Sequence, residues 1–100
     1  MAREAAFQSK VISFLRRKGC YVVKLNQDAK SSVGDPDLFF CYKNLYGFCE
    51  IKKSQDASFR PLQKEKLAML KKWTFAEAVY PENFGLIKER LEALISDEDM

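Results

Sequence analysis

Histidine is absent from this chain, and cysteine is scarce, with three residues among 100. The lack of histidine excludes a Ser-His-Asp triad, a Cys-His pair and an HExxH metalloprotease site. Cys20, Cys41 and Cys49 are odd in number and no two form a CxxC pair, which argues against a zinc site or a disulfide scaffold. We expect them to be small buried apolar residues. Any catalysis must therefore rely on carboxylates, lysine, a bound metal ion or water.

Long hydrophobic runs are also missing. No apolar segment approaches the roughly 20 residues that a membrane span needs. The N-terminal stretch MAREAAFQSK is too polar for a signal peptide. A composition that is 47% hydrophobic and 31% charged is typical of a globular domain rather than a disordered chain. The sequence therefore predicts one cytoplasmic domain with no membrane partner.

The net charge of +3 is unevenly distributed along the chain. Residues 1–72 carry 15 Lys and Arg against 7 Asp and Glu, whereas residues 73–100 carry 2 against 7. A basic body followed by an acidic end favours a polyanionic partner for the body. The same pattern is equally compatible with a solvated, soluble surface, so charge alone leaves both interpretations open.

Apolar periodicity and turn residues predict seven elements in the order α-β-β-β-α-β-α. The helices are predicted over 3–18, 61–73 and 81–96, and the strands over 21–27, 37–43, 48–54 and 75–80. The segment NLYG is predicted to turn the second strand back onto the third as a hairpin. The fold class is therefore α/β, with a single domain over 1–96 and an acidic C-terminal tail over 97–100.

Two short segments, GDPDLFF and CEIKKS, place carboxylates on predicted strands among apolar residues. Glu50 and Lys52 point to the same face because side chains alternate along a strand. The hairpin lets Asp37 approach Glu50, and carboxylates with waters are the ligands that Mg²⁺ prefers. Each segment alone has an ordinary interpretation, as a loop-to-strand entry or a solvent-facing edge strand. Their pairing across a hairpin favours a metal site.

These two segments resemble the signature of the PD-(D/E)XK nucleases, through Pro36-Asp37 and then Glu50-Ile51-Lys52. About 95 residues of the chain also resemble the small stand-alone VRR-NUC branch found in phages and bacteria. A helix bearing Glu4 opens the chain, the G-x-P-D-L element spans 34–38, and a later helix carries Gln63. The resemblance implies a restriction-endonuclease-like fold, with a mixed central sheet flanked by helices.

The resemblance also implies roles for individual residues. Asp37, Glu50, Lys52, Glu4 and Gln63 would be the catalytic residues. The metal ligands would be Asp37, Glu50, the backbone carbonyl of Ile51 and Glu4, with Lys52 as the catalytic lysine. Asp35 is a second candidate carboxylate in the same loop, but the family pattern places the ligand directly after proline. Gln8, one turn beyond Glu4, is a further candidate that could equally be an exposed polar residue.

The activity implied is hydrolysis of DNA phosphodiester bonds by a Mg²⁺- or Mn²⁺-dependent endonuclease, selective for branched DNA such as a Holliday junction. Its implied setting is a bacterial cell or a phage-infected host, where it acts as a homodimer with no small-molecule cofactor. Basic residues expected to contact phosphates are Arg16, Arg17, Lys18, Lys30, Lys53, Arg60 and Lys64. Three alternatives stay open: a nuclease on linear, nicked or flap DNA, a catalytically silent DNA-binding module, and a metal-independent carboxylate-pair hydrolase.

Overall fold

A computed structural model of the chain describes residues 2–25 and 34–100. Its elements are α1 (Ala2–Arg17), β1 (Tyr21–Lys24), β2 (Leu38–Tyr42), β3 (Leu45–Ile51), α2 (Gln63–Lys71), β4 (Phe75–Val79) and α3 (Phe84–Glu98). This order confirms the predicted α-β-β-β-α-β-α sequence of elements and the α/β class. Within the described residues, no helix is long and apolar enough to cross a membrane.

The four strands form one mixed sheet in the order β1-β2-β3-β4. The first three strands pair antiparallel, with Phe40 opposite Gly47 and Leu38 opposite Cys49 across β2 and β3. β4 pairs parallel to β3, which requires a crossover connection, and α2 provides it. Because β3 lies between an antiparallel and a parallel neighbour, both of its edges are paired.

The two faces of the sheet have different coverings. One face joins α1 and α3 in a single hydrophobic core, which contains Val11, Leu15, Leu38, Phe40, Cys49, Ile51, Ile87 and Leu91 among others. Side chains alternate along a strand, so Phe48 and Glu50 point to the opposite face. On that face α2 packs against β4. Glu50 is therefore presented toward α2, away from α1 and α3.

The hairpin between β2 and β3 turns earlier than predicted. Its turn is Lys43–Asn44, rather than the segment 44–47, and β3 runs from Leu45 to Ile51 instead of over 48–54. Gly47 lies within the strand, at a position that has no room for a side chain. A Cβ there would come 2.7 Å from the Phe40 ring and 2.8 Å from the Phe75 carbonyl oxygen. In the sequence this glycine suggested a turn. In the structure its lack of a side chain lets the Phe40 ring and the Phe75 backbone come close to β3.

The acidic C-terminal residues contact this turn. α3 continues two residues past its predicted end, to Glu98, whose Oε1 accepts a hydrogen bond of 2.9 Å from the Asn44 N–H. The Asp99 carboxylate accepts hydrogen bonds from the Tyr42 hydroxyl at 2.7 Å and from Lys43 Nζ at 2.6 Å. These contacts accompany a positive φ of 55° at Lys43, which non-glycine residues rarely adopt.

Cysteine burial agrees with the interpretation of these residues as apolar. Cys20 and Cys49 are buried, Cys41 is partly buried, and all three are free thiols. Burial, with smaller contributions from Glu77, Cys20 and Asp37, raises the pKa of the Cys49 thiol to about 12. A thiol held protonated in this way is a poor nucleophile.

Candidate metal and phosphodiester site

The loop before β2 lies directly against the start of α2. Gly34 has a φ of 84°, and a Cβ at this position would come 2.9 Å from the carbonyl carbon of Leu62. Leu62 itself adopts a left-handed conformation, with a φ of 70°, as the residue that precedes α2. The helix therefore begins at Gln63 rather than at 61 as predicted. This contact brings the segment that carries Asp37 close to the first residue of α2.

Asp37 is tied to the end of β3 by its side chain. Its Oδ2 accepts a hydrogen bond of 2.8 Å from the backbone N–H of Ile51. Its carbonyl accepts another of 2.8 Å from the Leu25 N–H, which extends the pairing of β1 with β2. The carboxylate is thus held one residue away from Glu50 along β3, in the position that the hairpin argument predicted.

Glu50, Gln63 and Lys52 form a buried cluster, which we call the amide-bridged cluster. Gln63 Nε2 donates to Glu50 Oε2 at 2.6 Å, and Gln63 Oε1 accepts from Lys52 Nζ at 2.9 Å. Lys52 Nζ also lies 3.6 Å from Glu50 Oε2. The three residues are exposed by only 2%, 1% and 8% for Glu50, Gln63 and Lys52 respectively. One amide therefore links the carboxylate to the ammonium inside the protein.

Residues of the loop before α2 complete the surroundings of Lys52. The Ser58 carbonyl accepts a hydrogen bond of 3.0 Å from Lys52 Nζ, and the Phe59 ring lies 4.6 Å from it. The Arg60 N–H donates to Gln63 Oε1 at 2.7 Å. Neither residue is predicted from the sequence to belong to this site; Phe59 is instead a candidate there for a dimer interface. The only available signal was an isolated phenylalanine in the polar segment QDASFR, which indicates a side chain with a packing partner.

The carboxyl group of Glu50 is strongly perturbed. Burial and then the neighbouring Asp37 raise its pKa from 4.5 to about 7, while Lys52, Arg60 and the hydrogen bond from Gln63 act in the opposite direction. Its Oε1 is buried and has no hydrogen-bond partner among the described residues. A carboxylate oxygen left without a partner in a buried site is costly unless a proton or a cation satisfies it.

We predict that this carboxyl group makes the metal-free protein less stable as the pH rises from about 4.5 to 7. Between these pH values the folded state binds more protons than the unfolded state. The stabilisation that is fully present below about pH 4.5 is therefore lost as the pH rises through the folded-state pKa of about 7. A pKa difference of this size corresponds to about 3 kcal/mol. Urea unfolding in EDTA would measure it.

The control for this prediction is Glu50→Gln, which removes the titrating group at nearly constant volume. We expect the free energy of unfolding of the wild type to fall relative to this variant by about 3 kcal/mol between about pH 4.5 and pH 8. Parallel pH profiles for the two proteins would contradict the prediction, because every other titrating group is shared.

The donor set fits a hard divalent cation such as Mg²⁺ or Mn²⁺. Glu50 Oε1 is unpartnered among the described residues, and the Asp37 carboxylate is close enough to raise the pKa of Glu50. In the part of the chain that the structure describes, no three acidic or cysteine side chains converge. The protein would thus provide two carboxylates, and Mg²⁺ commonly completes such a shell with water. A role for the Ile51 carbonyl stays a prediction.

Other predicted site residues are not joined to the amide-bridged cluster. Among residues 4–25 and 34–100, no hydrogen bond or ion pair connects Glu4 or Gln8 to it, so their roles stay predictions. Asp35 forms an ion pair of 3.0 Å with Lys66 of α2, whereas the Asp37 carboxylate contacts β3. Lys30 lies outside the described residues.

The basic residues predicted to bind DNA fall into two groups. Lys53, Arg60 and Lys64 belong to the loop and helix beside the amide-bridged cluster, and all three are exposed. Arg16, Arg17 and Lys18 lie at or just beyond the end of α1, and Lys18 is paired with Glu92 of α3 at 2.9 Å. The predicted phosphate-binding surface is therefore divided between two regions of the protein.

The fold and the cluster together define an α/β protein that holds a buried carboxylate, a lysine and a bridging glutamine beside a second carboxylate. Compared with protein-family models, with curated proteins and with solved structures, the chain gave no match. The assignment of a function therefore depends on the geometry and chemistry of the residues themselves.

Proposed function

We propose that the protein is a Mg²⁺- or Mn²⁺-dependent endodeoxyribonuclease of the PD-(D/E)XK type, with a restriction-endonuclease-like fold and a preference for branched DNA. One observation carries the proposal: Asp37, Glu50 and Lys52 converge, and the buried Glu50 Oε1 has no partner among the described residues. A purely structural ion pair would not need a carboxylate oxygen left open in this way.

The chain's own groups suit phosphodiester hydrolysis. Asp37 and Glu50 would hold the ion, which when bound supplies a nucleophilic water and neutralises charge on the phosphate oxygens. Lys52 Nζ donates to Gln63 Oε1 and to the Ser58 carbonyl and lies 3.6 Å from Glu50 Oε2. The ammonium group can also donate to a phosphate oxygen, where charge develops in the transition state.

The exposed cations beside the cluster fit a DNA backbone. Lys53 follows Lys52 directly, Arg60 precedes α2, and Lys64 Nζ lies 5.8 Å from the ring of Phe59. Phosphate contacts of this kind position a substrate without reading its sequence. We accordingly propose that the protein recognises DNA shape and that it acts in the cytoplasm.

A cleavage assay tests the proposal. End-labelled four-way junction, flap, nicked and linear DNA would each be incubated with the protein in Mg²⁺, Mn²⁺ or EDTA. We expect paired, symmetric cuts in the junction that require the metal. Metal-dependent cutting of the other substrates alone would support the nuclease and contradict the preference for branched DNA.

Two aspartates in one loop provide a matched pair of variants for this assay. We expect Asp37→Asn to abolish cleavage and Asp35→Asn to retain it, because Asp35 is paired with Lys66 while Asp37 contacts β3. If no DNA is cut in any metal while binding is intact, the protein is a silent DNA-binding module. Cutting that is equally strong in EDTA would also refute the proposal.

We also propose that the protein acts as a homodimer, because two symmetric cuts require two sites related by a two-fold axis. Apolar side chains available for such an interface include Trp73, Met69 and Tyr46, which are 66%, 44% and 41% exposed. We expect the wild type to sediment as a dimer and Trp73→Glu to sediment as a monomer. A monomeric wild type at the concentrations that support cleavage would contradict this part.

A further inference from the structure

We infer that the groove between α1 and α3 is a second binding surface for the phosphodiester backbone of DNA, separate from the amide-bridged cluster. We call it the α1–α3 groove, and it is lined by Ser9, Lys10, Ser13, Arg17, Phe84 and Lys88. Three of these residues are cationic, two carry hydroxyl donors, and none is acidic. The choice of DNA as its ligand rests on the proposed function.

Among the described residues, the cations of the α1–α3 groove are not paired with carboxylates, unlike several other surface lysines. Lys18, Lys43 and Lys71 each lie within about 3 Å of a carboxylate. Within residues 4–25 and 34–100, by contrast, Lys10, Arg17 and Lys88 form no ion pair. Their positive charge is therefore available to an external anion, and it is concentrated because the residues share one groove.

Among the described residues, carboxylates line the depression at one end of this groove and not at the other. The adjoining depression toward the end of α1 is lined by Glu89 and Glu92 as well as by Arg17 and Lys88. At the other end, the adjoining depression contains Lys10 and no carboxylate. An anionic chain would therefore enter from the Lys10 side rather than beside Glu89.

The spacing of the groove residues suits a chain of phosphates. Lys10, Ser13 and Arg17 stand at positions i, i+3 and i+7 of α1, so they form one stripe along the helix. The stripe covers about 10 Å at 1.5 Å per residue. That length matches about three steps between successive phosphates along the axis of one DNA strand, at about 3.4 Å per step.

Aromatic contacts hold the floor of the groove in place. The Phe84 ring packs edge-on against Phe7 and Phe14, with centroid distances of 5.3 and 6.1 Å. Lys88 Nζ lies 4.7 Å from the centroid of the same ring. These contacts connect the two helices beneath the cations and place Lys88 over the floor of the groove.

The α1–α3 groove and the amide-bridged cluster belong to opposite layers of the protein. α1 and α3 pack on the face of the sheet that contains Ile51, whereas Glu50 points to the face that α2 covers. A straight, short DNA segment could not contact both surfaces. A branched substrate could place one arm in the groove and another at the cluster, which agrees with the proposed preference for branched DNA.

Binding measurements without cleavage test this inference. Fluorescence anisotropy would follow a labelled four-way junction in EDTA over a range of KCl concentrations, with Arg17→Gln/Lys88→Gln compared with the wild type. We expect affinity to fall at least about 10-fold. The salt slope should also be smaller by about 2, because the variant neutralises two fewer phosphates.

The matched control is Lys71→Gln/Lys72→Gln, which removes the same charge from an exposed part of α2 and the residue that follows it. We expect this variant to bind the junction within about 3-fold of the wild type. Equal reductions for the two variants, or no reduction for the groove variant, would overturn the inference. If the groove variant bound the junction like the wild type but no longer bound labelled poly-L-glutamate, the groove would be a site for an acidic polypeptide. That result would also overturn the inference.

The same experiments separate this inference from the proposed function. If no DNA is cut but the groove variant fails to bind the junction, the groove assignment stands and the nuclease assignment fails. If Asp37→Asn abolishes cleavage while the groove variant binds the junction like the wild type, the nuclease stands and the groove assignment fails.

Discussion

Substitution of Lys52 by methionine is expected to reduce the single-turnover rate of DNA cleavage by about 10² to 10³-fold, with DNA affinity changed by less than about 3-fold. Methionine retains much of the apolar volume of lysine but has no N–H to offer a phosphate oxygen. The substitution should lower the cleavage rate rather than the DNA affinity, because Lys52 is buried and its ammonium group lies between Gln63 and Ser58. Rapid-quench measurements at saturating protein would give the rate.

Neighbouring lysines make the result for Lys52 interpretable. Lys53→Met should weaken binding while leaving the single-turnover rate nearly unchanged, because Lys53 is exposed and follows the cluster without joining it. Lys72→Met, at an exposed position after α2, should alter neither quantity. If Lys52→Met and Lys53→Met produced the same pattern, Lys52 would contribute only general positive charge, and its assignment as the catalytic lysine would be wrong.

Replacement of Gln63 by leucine is expected to lower the free energy of unfolding by about 3–5 kcal/mol. Gln63 is the shared partner of Glu50 Oε2, of Lys52 Nζ and of the Arg60 N–H, all within 2.9 Å. Leucine fills a similar volume but leaves these three groups without that partner in a buried site. Urea unfolding monitored by circular dichroism would measure the change.

Two further variants isolate the cause of that destabilisation. Gln55→Leu makes the same chemical change at an exposed position and should alter the free energy of unfolding by less than about 0.5 kcal/mol. Gln63→Glu retains an acceptor for Lys52 but places a second carboxylate about 2.6 Å from that of Glu50. We expect its stability to fall steeply with rising pH, because both groups must then ionise. A Gln63→Leu variant as stable as the wild type would contradict the bridging role.

The convergence of Asp37, Glu50 and Lys52 could be predicted because it follows from local rules. Strand alternation puts Glu50 and Lys52 on the same side, and a short hairpin returns β3 beside the residue that precedes β2. Element order followed in the same way from apolar spacing and from turn residues. These rules involve residues that are close in sequence, so they could be applied without knowing how the helices pack on the sheet.

The turn of the hairpin could not be placed correctly from the sequence. Gly47 indicated a turn by composition, yet its lack of a side chain serves the contact with Phe40 on the adjacent strand. The start of α2 was misplaced for a similar reason, since Leu62 adopts its left-handed conformation against Gly34. In both cases a contact between distant residues outweighed the local preference.

Composition and periodicity alone therefore determine the α/β class, the exclusion of histidine chemistry and the pairing of two carboxylates with a lysine. Only the tertiary structure decides which groups touch. It places the Gln63 amide between Glu50 and Lys52, buries Glu50 enough to raise its pKa to about 7, and pairs Lys18 with Glu92 while Arg17 forms no ion pair among the described residues. Burial and charge pairing depend on how α2 and α3 pack on the sheet, and these long-range contacts leave no periodic signal in the sequence.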